Sequence, residues 1–189
     1  RFTENAIIGL PTLRFNGSST YFGWDGTILV NTNYTIFVVE QRTGLCPQYD
    51  QIIGGGTSAV NSNFQFGYYN SGGTNNFHFA HWGASTSYTE VSYGIGTYSN
   101  TTPRIHTARL ESGVKSEYWL NGGTSADATG TVFTQLSANA GSSIGRNAAL
   151  GNNYLGELAE IIIFTRALKT EERQSIENYL SKKYNIKIS

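Results

Sequence analysis

The chain has 189 residues and a mass of 20.7 kDa, with 13 basic and 13 acidic side chains and an isoelectric point near 7. That balance leaves no basic stripe to grip a phosphate backbone, which excludes nucleic acid as a partner. The longest apolar run, "LAEIIIF", carries a charge and is far too short to span a bilayer as a helix, so membrane insertion is excluded too.

The stretch 1–165 reads as strands: short runs rich in Val, Ile, Phe, Tyr and Thr, divided by Asn16-Gly17, Asp25-Gly26 and Asn121-Gly122. Asp25-Gly26 is expected to join "STYFGW" to "TILV" as a tight hairpin, and Asn121-Gly122 follows "SEYWL" with the same turn chemistry. "YTIFVVE" (34–40) is apolar on both faces and is expected to be a central strand covered on both sides. "GLCPQYD" reads as loop, with Cys46 as a small hydrophobe; a lone cysteine excludes a disulfide within the chain. "NFQFGYY" and "NFHFAHW" alternate, so Phe64, Phe66 and Tyr68 share one face and Phe77, Phe79 and His81 another. "LAEIIIF" (158–164) is a second two-sided strand.

The ending changes period. With Thr170 as N-cap, "TEERQSIENYLSKKY" places Ile176, Tyr179, Leu180 and Tyr184 on one stripe at helical spacing, predicting a helix over 170–184. Glu171 and Glu172 open it and Lys182 and Lys183 close it, complementing the helix dipole. Such a stripe must be buried on a sheet face. No repeat or linker divides the chain, and 1–189 is expected to be one domain. Methionine is absent even at position 1, so the chain is expected to be a processed product or a piece of a longer polypeptide.

"GLPTLRFNGSSTYF", "SEYWLNGG", "SSIGRN" and the closing "GELAE…FTRALKTEE…YLSKKYNI" resemble the LamG-like jelly-roll domains of the concanavalin A-like lectin/glucanase superfamily. The resemblance implies an all-β fold, a two-sheet antiparallel sandwich, with the C-terminal helix packed on it. It leaves function open, because that superfamily holds lectins, adhesion modules, enzymes and viral surface domains. Members usually carry an early strand before the "GLPTLRFNG" stretch. Here only 1–8 precede it, so the strand is expected to be missing or supplied by another part of the parent protein.

The superfamily's glucanases hold their carboxylates two apart on one strand face, and no such motif occurs in this sequence. Glu157 and Glu160, three apart, are expected on opposite faces, unable to flank one glycosidic bond. Glu160 is expected to be buried and paired, with Arg166 as first candidate and Arg146 or Arg109 behind it. "GSSIG" matches a nucleophile motif, but the "RNAALGNNYLG" that follows reads as a hairpin rather than the required helix. His78 and His81, three apart on a strand, face opposite ways and have no third ligand, which argues against zinc. The resemblance keeps calcium open as a cofactor. The chain has only three aspartates, Asp25, Asp50 and Asp127, none in a loop rich in acids, so no ligands are assigned.

What remains is aromatic. The outward face of the 64–82 hairpin presents Gln65, Tyr69, His78 and Trp82, beside the amide-rich "NSGGTNN" with Asn75 and Asn76. A saccharide is held by an aromatic plane under its C–H face and neutral donors and acceptors around its hydroxyls. Alternatively, Trp82 and Tyr69 cover a neighbouring strand or the helix. Trp24 and Asp127, in "GWDGT" and "GTSADATG", are secondary candidates. Asn16, Asn33 and Asn100 fit the glycosylation sequon.

The expectation is therefore a non-catalytic carbohydrate-binding or adhesion module whose partner is a glycan or cell-surface polysaccharide. The Lys-poor, Asn/Thr/Gly-rich surface suits an extracellular protein or one at a cell or virion surface. The competing reading is a structural or attachment domain of a virus or phage surface protein, contacting other subunits of a larger assembly.

Overall fold

A computed structural model describes residues 2–44, 49–57, 59, 61–71, 74–82, 89–95, 102–130 and 134–189. Cys46 and the Asn100 sequon lie outside the described residues. The chain opens with β1 (Phe2–Ile7), β2 (Leu10–Asn16) and β3 (Phe22–Gly23), then a 3-10 turn at Gly26–Leu29, β4 (Tyr34–Arg42) and β5 (Tyr49–Gly54). β6 (Asn63–Ser71), β7 (Thr74–Trp82) and β8 (Thr89–Gly94) form a meander. A second meander follows in β9 (Arg104–Glu111), β10 (Lys115–Leu120) and β11 (Ala128–Gly130). Short strands β12 (Ser143–Ile144), β13 (Arg146–Asn147) and β14 (Asn152–Asn153) lead into β15 (Leu155–Phe164) and the helix α1 (Thr170–Tyr184).

The strands build two antiparallel sheets packed as a jelly-roll sandwich. One has seven strands in the order β1-β2-β15-β4-β9-β10-β11; the other has six, β3-β12-β5-β6-β7-β8. Between them lies the main core, with Phe64, Phe66, Tyr68, Phe77 and Phe79 from the six-stranded sheet facing Tyr34, Ile36, Val38, Ala108 and Leu110. The alternation read from "NFQFGYY" and "NFHFAHW" is thus the inward face of β6 and β7. β4 sits at the middle of the seven-stranded sheet and is buried on both sides: Phe37 and Val39, on its outer face, meet Leu180 and Tyr184 of α1. "RNAALGNNYLG" forms the hairpin of β13 and β14, as its turn residues require.

Residues 2–7 form β1, an edge strand paired with β2. Three local expectations are corrected. Asp25-Gly26 does not turn a hairpin. The Asp25 carboxylate accepts from Thr27 and caps the 3-10 turn, since a short acid satisfies the free N–H groups of such a turn directly. The helix spans 170–184 as expected, but its N-cap is Lys169, and Glu172 reaches back to the Lys169 N–H at 2.9 Å. Its buried stripe is Arg173, Glu177, Leu180 and Tyr184, while Tyr179 is 47% exposed. Arg173 and Glu177 tolerate burial because they pair with each other.

The third concerns Glu157 and Glu160. Glu157 lies opposite Gln41, and Glu160 lies opposite Val39, with a bulge between Leu158 and Glu160. Gln41 and Val39 alternate with the inward Glu40, so both glutamates leave β15 on its outer face. The extra residue of the bulge shifts the pleat by one. Glu160 is partly exposed and bonded to Lys183 and Tyr184 of α1, each at 2.9 Å. Arg166 pairs instead with Glu172.

The core also contains ions. The Glu40 carboxylate, fully buried, accepts from Tyr68 (2.6 Å), Tyr154 (2.5 Å) and His106 (2.9 Å). Burial alone would raise its pKa, but the combined hydrogen bonds of His106, Tyr154 and Tyr68 hold it below the usual carboxylate value. Asp50, 2.8 Å from the buried Arg42 guanidinium, is pushed up to about 7 by burial. Neither carboxyl reaches solvent.

Candidate functional site

The outer face of the six-stranded sheet gathers a compact aromatic and polar cluster. Strand register dictates its members: Tyr49 on β5 lies opposite Tyr69 on β6, which lies opposite Asn76 on β7. The Tyr49 and Tyr69 rings stack with centroids 6.2 Å apart at 23°, and Tyr69 leans on His78 at 4.8 Å. Gly67 is opposite His78. A Cβ on Gly67 would come within 2.5 Å of the Asp50 carbonyl, so only glycine fits this close strand approach.

Hydrogen bonds fix the cluster from below and beside. The Gln51 amide nitrogen donates to the Tyr68 carbonyl at 3.2 Å and lies 3.0 Å from His78 Nε2. An amide nitrogen only donates, so Nε2 accepts and the His78 proton sits on Nδ1, facing Glu90 Oε2 at 3.7 Å. The Tyr69 hydroxyl is 3.2 Å from Ser92 Oγ. Burial pushes the Glu90 pKa up, but the nearby His78 ring and hydrogen bonding from Tyr69 and Ser92 outweigh it and leave it below the usual value. The result is a half-buried pair of phenol rings with a fixed carboxylate, a hydroxyl and amides at their margin.

Not every expected residue belongs to this cluster. Tyr69, Asn76 and His78 do, although His78 is only 3% exposed and meets the surface through its neighbours. Asn75 sits opposite Asn70 at the turn end of the same hairpin. Gln65, also 3% exposed, is covered rather than presented. Trp82 is half-buried opposite Asn63, four residues beyond His78 and hence about 13 Å along the strand. Trp24 packs against the main core, and its indole nitrogen is buried. Asp127 accepts from the Leu120 N–H beside β10, in the other sheet. The two secondary candidates therefore lie apart from the hairpin face. Tyr49, Gln51, Glu90 and Ser92 were not singled out from sequence. Their signal is the alternation in "YDQII" and "TEVSY", which puts these residues opposite their inward neighbours.

No group of three or more metal-ligating side chains occurs among the described residues. His78 faces outward and His81 inward, where Tyr34 and the Thr134 carbonyl hold its ring. Ser143 of "GSSIG" lies on β12, between β3 and β5, with the hairpin of β13 and β14 after it.

No protein-family model matches the sequence, and no curated protein matches it. Solved structures do match its shape. The carbohydrate-binding module CBM40 of the Ruminococcus gnavus IT-sialidase superposes with a TM-score of 0.66 at 11% identity, covering 94% of this chain and 98% of that one. Domain 4 of AbnA, an extracellular arabinanase from Geobacillus stearothermophilus solved with arabinotriose, gives 0.67 at 14%, covering 94% and 81%. A heptameric SAP-like pentraxin from Limulus polyphemus gives 0.63 at 17%, covering 88% and 81%. The fold is thus a jelly-roll sandwich, and identities this low carry the fold alone.

Proposed function

We propose that residues 1–189 act as one non-catalytic, lectin-like module of the LamG-like kind, binding a neutral glycan on the outer face of the six-stranded sheet. The observation that carries this reading is the Tyr49–Tyr69 pair, stacked and half-buried, with hydrogen-bonding groups of fixed orientation at its edge. A sugar ring would lay its C–H face on these phenols, while Ser92, Glu90, Asn76 and Asn75 take its hydroxyls. His78 would act as a support beneath, Gln65 stays covered four residues along β6 from Tyr69, and Trp82 would meet only a longer ligand. The shape shared with a module solved with α2,3-sialyllactose and a domain solved with arabinotriose supports glycan binding, and arabinotriose is a neutral glycan. Such a role fits an extracellular or surface-exposed parent protein, with other domains supplying avidity. Catalysis is not part of the proposal: the Glu40 and Asp50 carboxyls are sealed in the core, and Glu90 faces the cluster with no second acid beside it among the described residues.

A glycan microarray, run with and without calcium and followed by calorimetry, tests this. One isolated site of this kind is expected to bind in the range of roughly millimolar to micromolar. Tyr69→Ala should remove binding while leaving the thermal midpoint in place. Retained affinity in that variant overturns the assignment.

A further inference from the structure

A second groove lies elsewhere, on the outer face of the seven-stranded sheet between β9–β11 and the start of α1. Its volume is about 860 Å³, within the range of small-molecule sites. We propose that this groove is a second, independent saccharide site, one that reads vicinal hydroxyls of a neutral sugar by hydrogen bonding rather than by stacking.

Each of the three guanidinium nitrogens of Arg109 donates one hydrogen bond. Nε donates to the Leu168 carbonyl (2.9 Å), Nη1 to Glu117 (2.7 Å) and Nη2 to Glu111 (2.7 Å). Lys115 approaches the other oxygen of Glu117 at 2.6 Å. Two strands and the segment before α1 are thereby locked into one array, with each of these cations matched by a carboxylate. A groove of matched charges gives a free ion of either sign little gain, and it suits a neutral polar ligand.

The array has capacity left over. Glu111 uses one oxygen for Arg109; the other has no partner among the described residues, and the side chain is 37% exposed. The opposite bank supplies hydroxyls from Thr124, Ser125 and Thr129. The floor is Trp119, 4% exposed beneath the Arg173 guanidinium at 4.0 Å, with its indole N–H lacking a hydrogen-bond partner. Arg173 is itself held by Glu177 and by the Gly123 carbonyl. An open carboxylate oxygen and a row of hydroxyls, with the buried, unpartnered Trp119 N–H beneath them, match the alternating donors and acceptors of a sugar edge. A peptide partner would need apolar anchor pockets. The only exposed apolar side chain here is Val114, at 60%, suited to one C–H face.

This site does not depend on the one at Tyr69, and the experiment separates them. Wild type, Tyr69→Ala, Glu111→Gln and Ser125→Trp would be screened on a microarray of neutral and acidic glycans, with folding checked by amide NMR spectra. The Trp119 indole N–H resonance would then be followed during titration with the strongest surviving neutral glycan. The proposal expects neutral-glycan signals that persist in Tyr69→Ala, fall about tenfold in Glu111→Gln, where a hydrogen bond to a charged acceptor is lost, and vanish in Ser125→Trp, where the indole fills the groove. The Trp119 N–H should shift on titration. It is overturned if no signal is seen, if every signal disappears with Tyr69→Ala, if folded Ser125→Trp still binds, or if only acidic glycans survive.

Discussion

Glu157 and Glu160 project from the same outer face of β15, yet each is claimed by a different neighbour. Thr12 and Arg14 of β2 hold Glu157, and Lys183 and Tyr184 of α1 hold Glu160. The bulge at Ala159 brings the two acids to one side, so the pleat does not keep them apart. What separates them chemically is occupancy: one fastens an adjacent strand and the other fastens the helix.

These roles differ in burial, and stability should follow. Glu157 is 2% exposed, so Glu157→Gln should cost about 1–3 kcal/mol through weakened charged hydrogen bonds. Glu160 is a partly solvated pair, and Glu160→Gln should cost only about 0–1 kcal/mol. Urea denaturation of both variants measures the difference. The reverse order, or a change in glycan affinity in either variant, contradicts this assignment.

Glu40 gathers three buried donors from β6, β9 and the segment before β15, so it ties both sheets together. Glu40→Ala should destabilise by about 3–5 kcal/mol, because Tyr68, His106 and Tyr154 would be left with buried, unmatched groups. Tyr154→Phe removes a single donor and should cost about 1–2 kcal/mol. Guanidinium melts of the two variants check the ranking, and near-wild-type stability for Glu40→Ala would remove the tie.

The helix contributes through its underside. Leu180 is fully buried against the face that carries Phe37 and Val39. Leu180→Ala should therefore cost about 2–5 kcal/mol. Deleting residues 166–189 should expose that face and produce aggregation, read by light scattering after expression. A soluble monomer with an intact far-ultraviolet spectrum would show that the sheet does not need its cover.

The parts of this molecule legible in sequence were those where one chemical pattern had one outcome. The alternation of Phe64, Phe66 and Tyr68 could only face inward, and the period of 170–184 could only be helical. Three features were hidden. A bulge such as that at Ala159 leaves no compositional mark, so the faces of Glu157 and Glu160 were misassigned. Arg173 and Glu177 look like a solvated i,i+4 pair until the sheet that covers them is known. Tyr49 joins Tyr69 only through the register of β5 on β6, which depends on a second bulge between Gln51 and Ile53. The aromatic hairpin could be found locally, whereas its stacking partner required the pairing of a strand 20 residues away.

His81 offers a test of the core through pH. Its Nδ1 faces the Thr134 carbonyl at 2.8 Å, and a carbonyl only accepts, so Nδ1 carries the proton and Nε2 accepts from the Tyr34 hydroxyl at 2.8 Å. Burial pushes the imidazole pKa from 6.5 down to about 4. Above 6.5 the folded and unfolded chains are both neutral at this site. Between 6.5 and 4 the unfolded chain takes up a proton that the folded one refuses, so His81 removes stability as pH falls, in all by about 3 kcal/mol. Asp50 works in the opposite sense. Its folded value near 7 lies above the ordinary 3.8, so its contribution is full below 3.8 and is lost as pH rises towards 7. The two slopes oppose each other in the overlapping window, which makes a bulk stability profile a poor probe. The imidazole nitrogens report directly: at about pH 5, where an unperturbed histidine is charged, the His81 ring should remain neutral with its proton on Nδ1. An imidazolium spectrum for His81 at that pH would show that water reaches this corner of the sandwich.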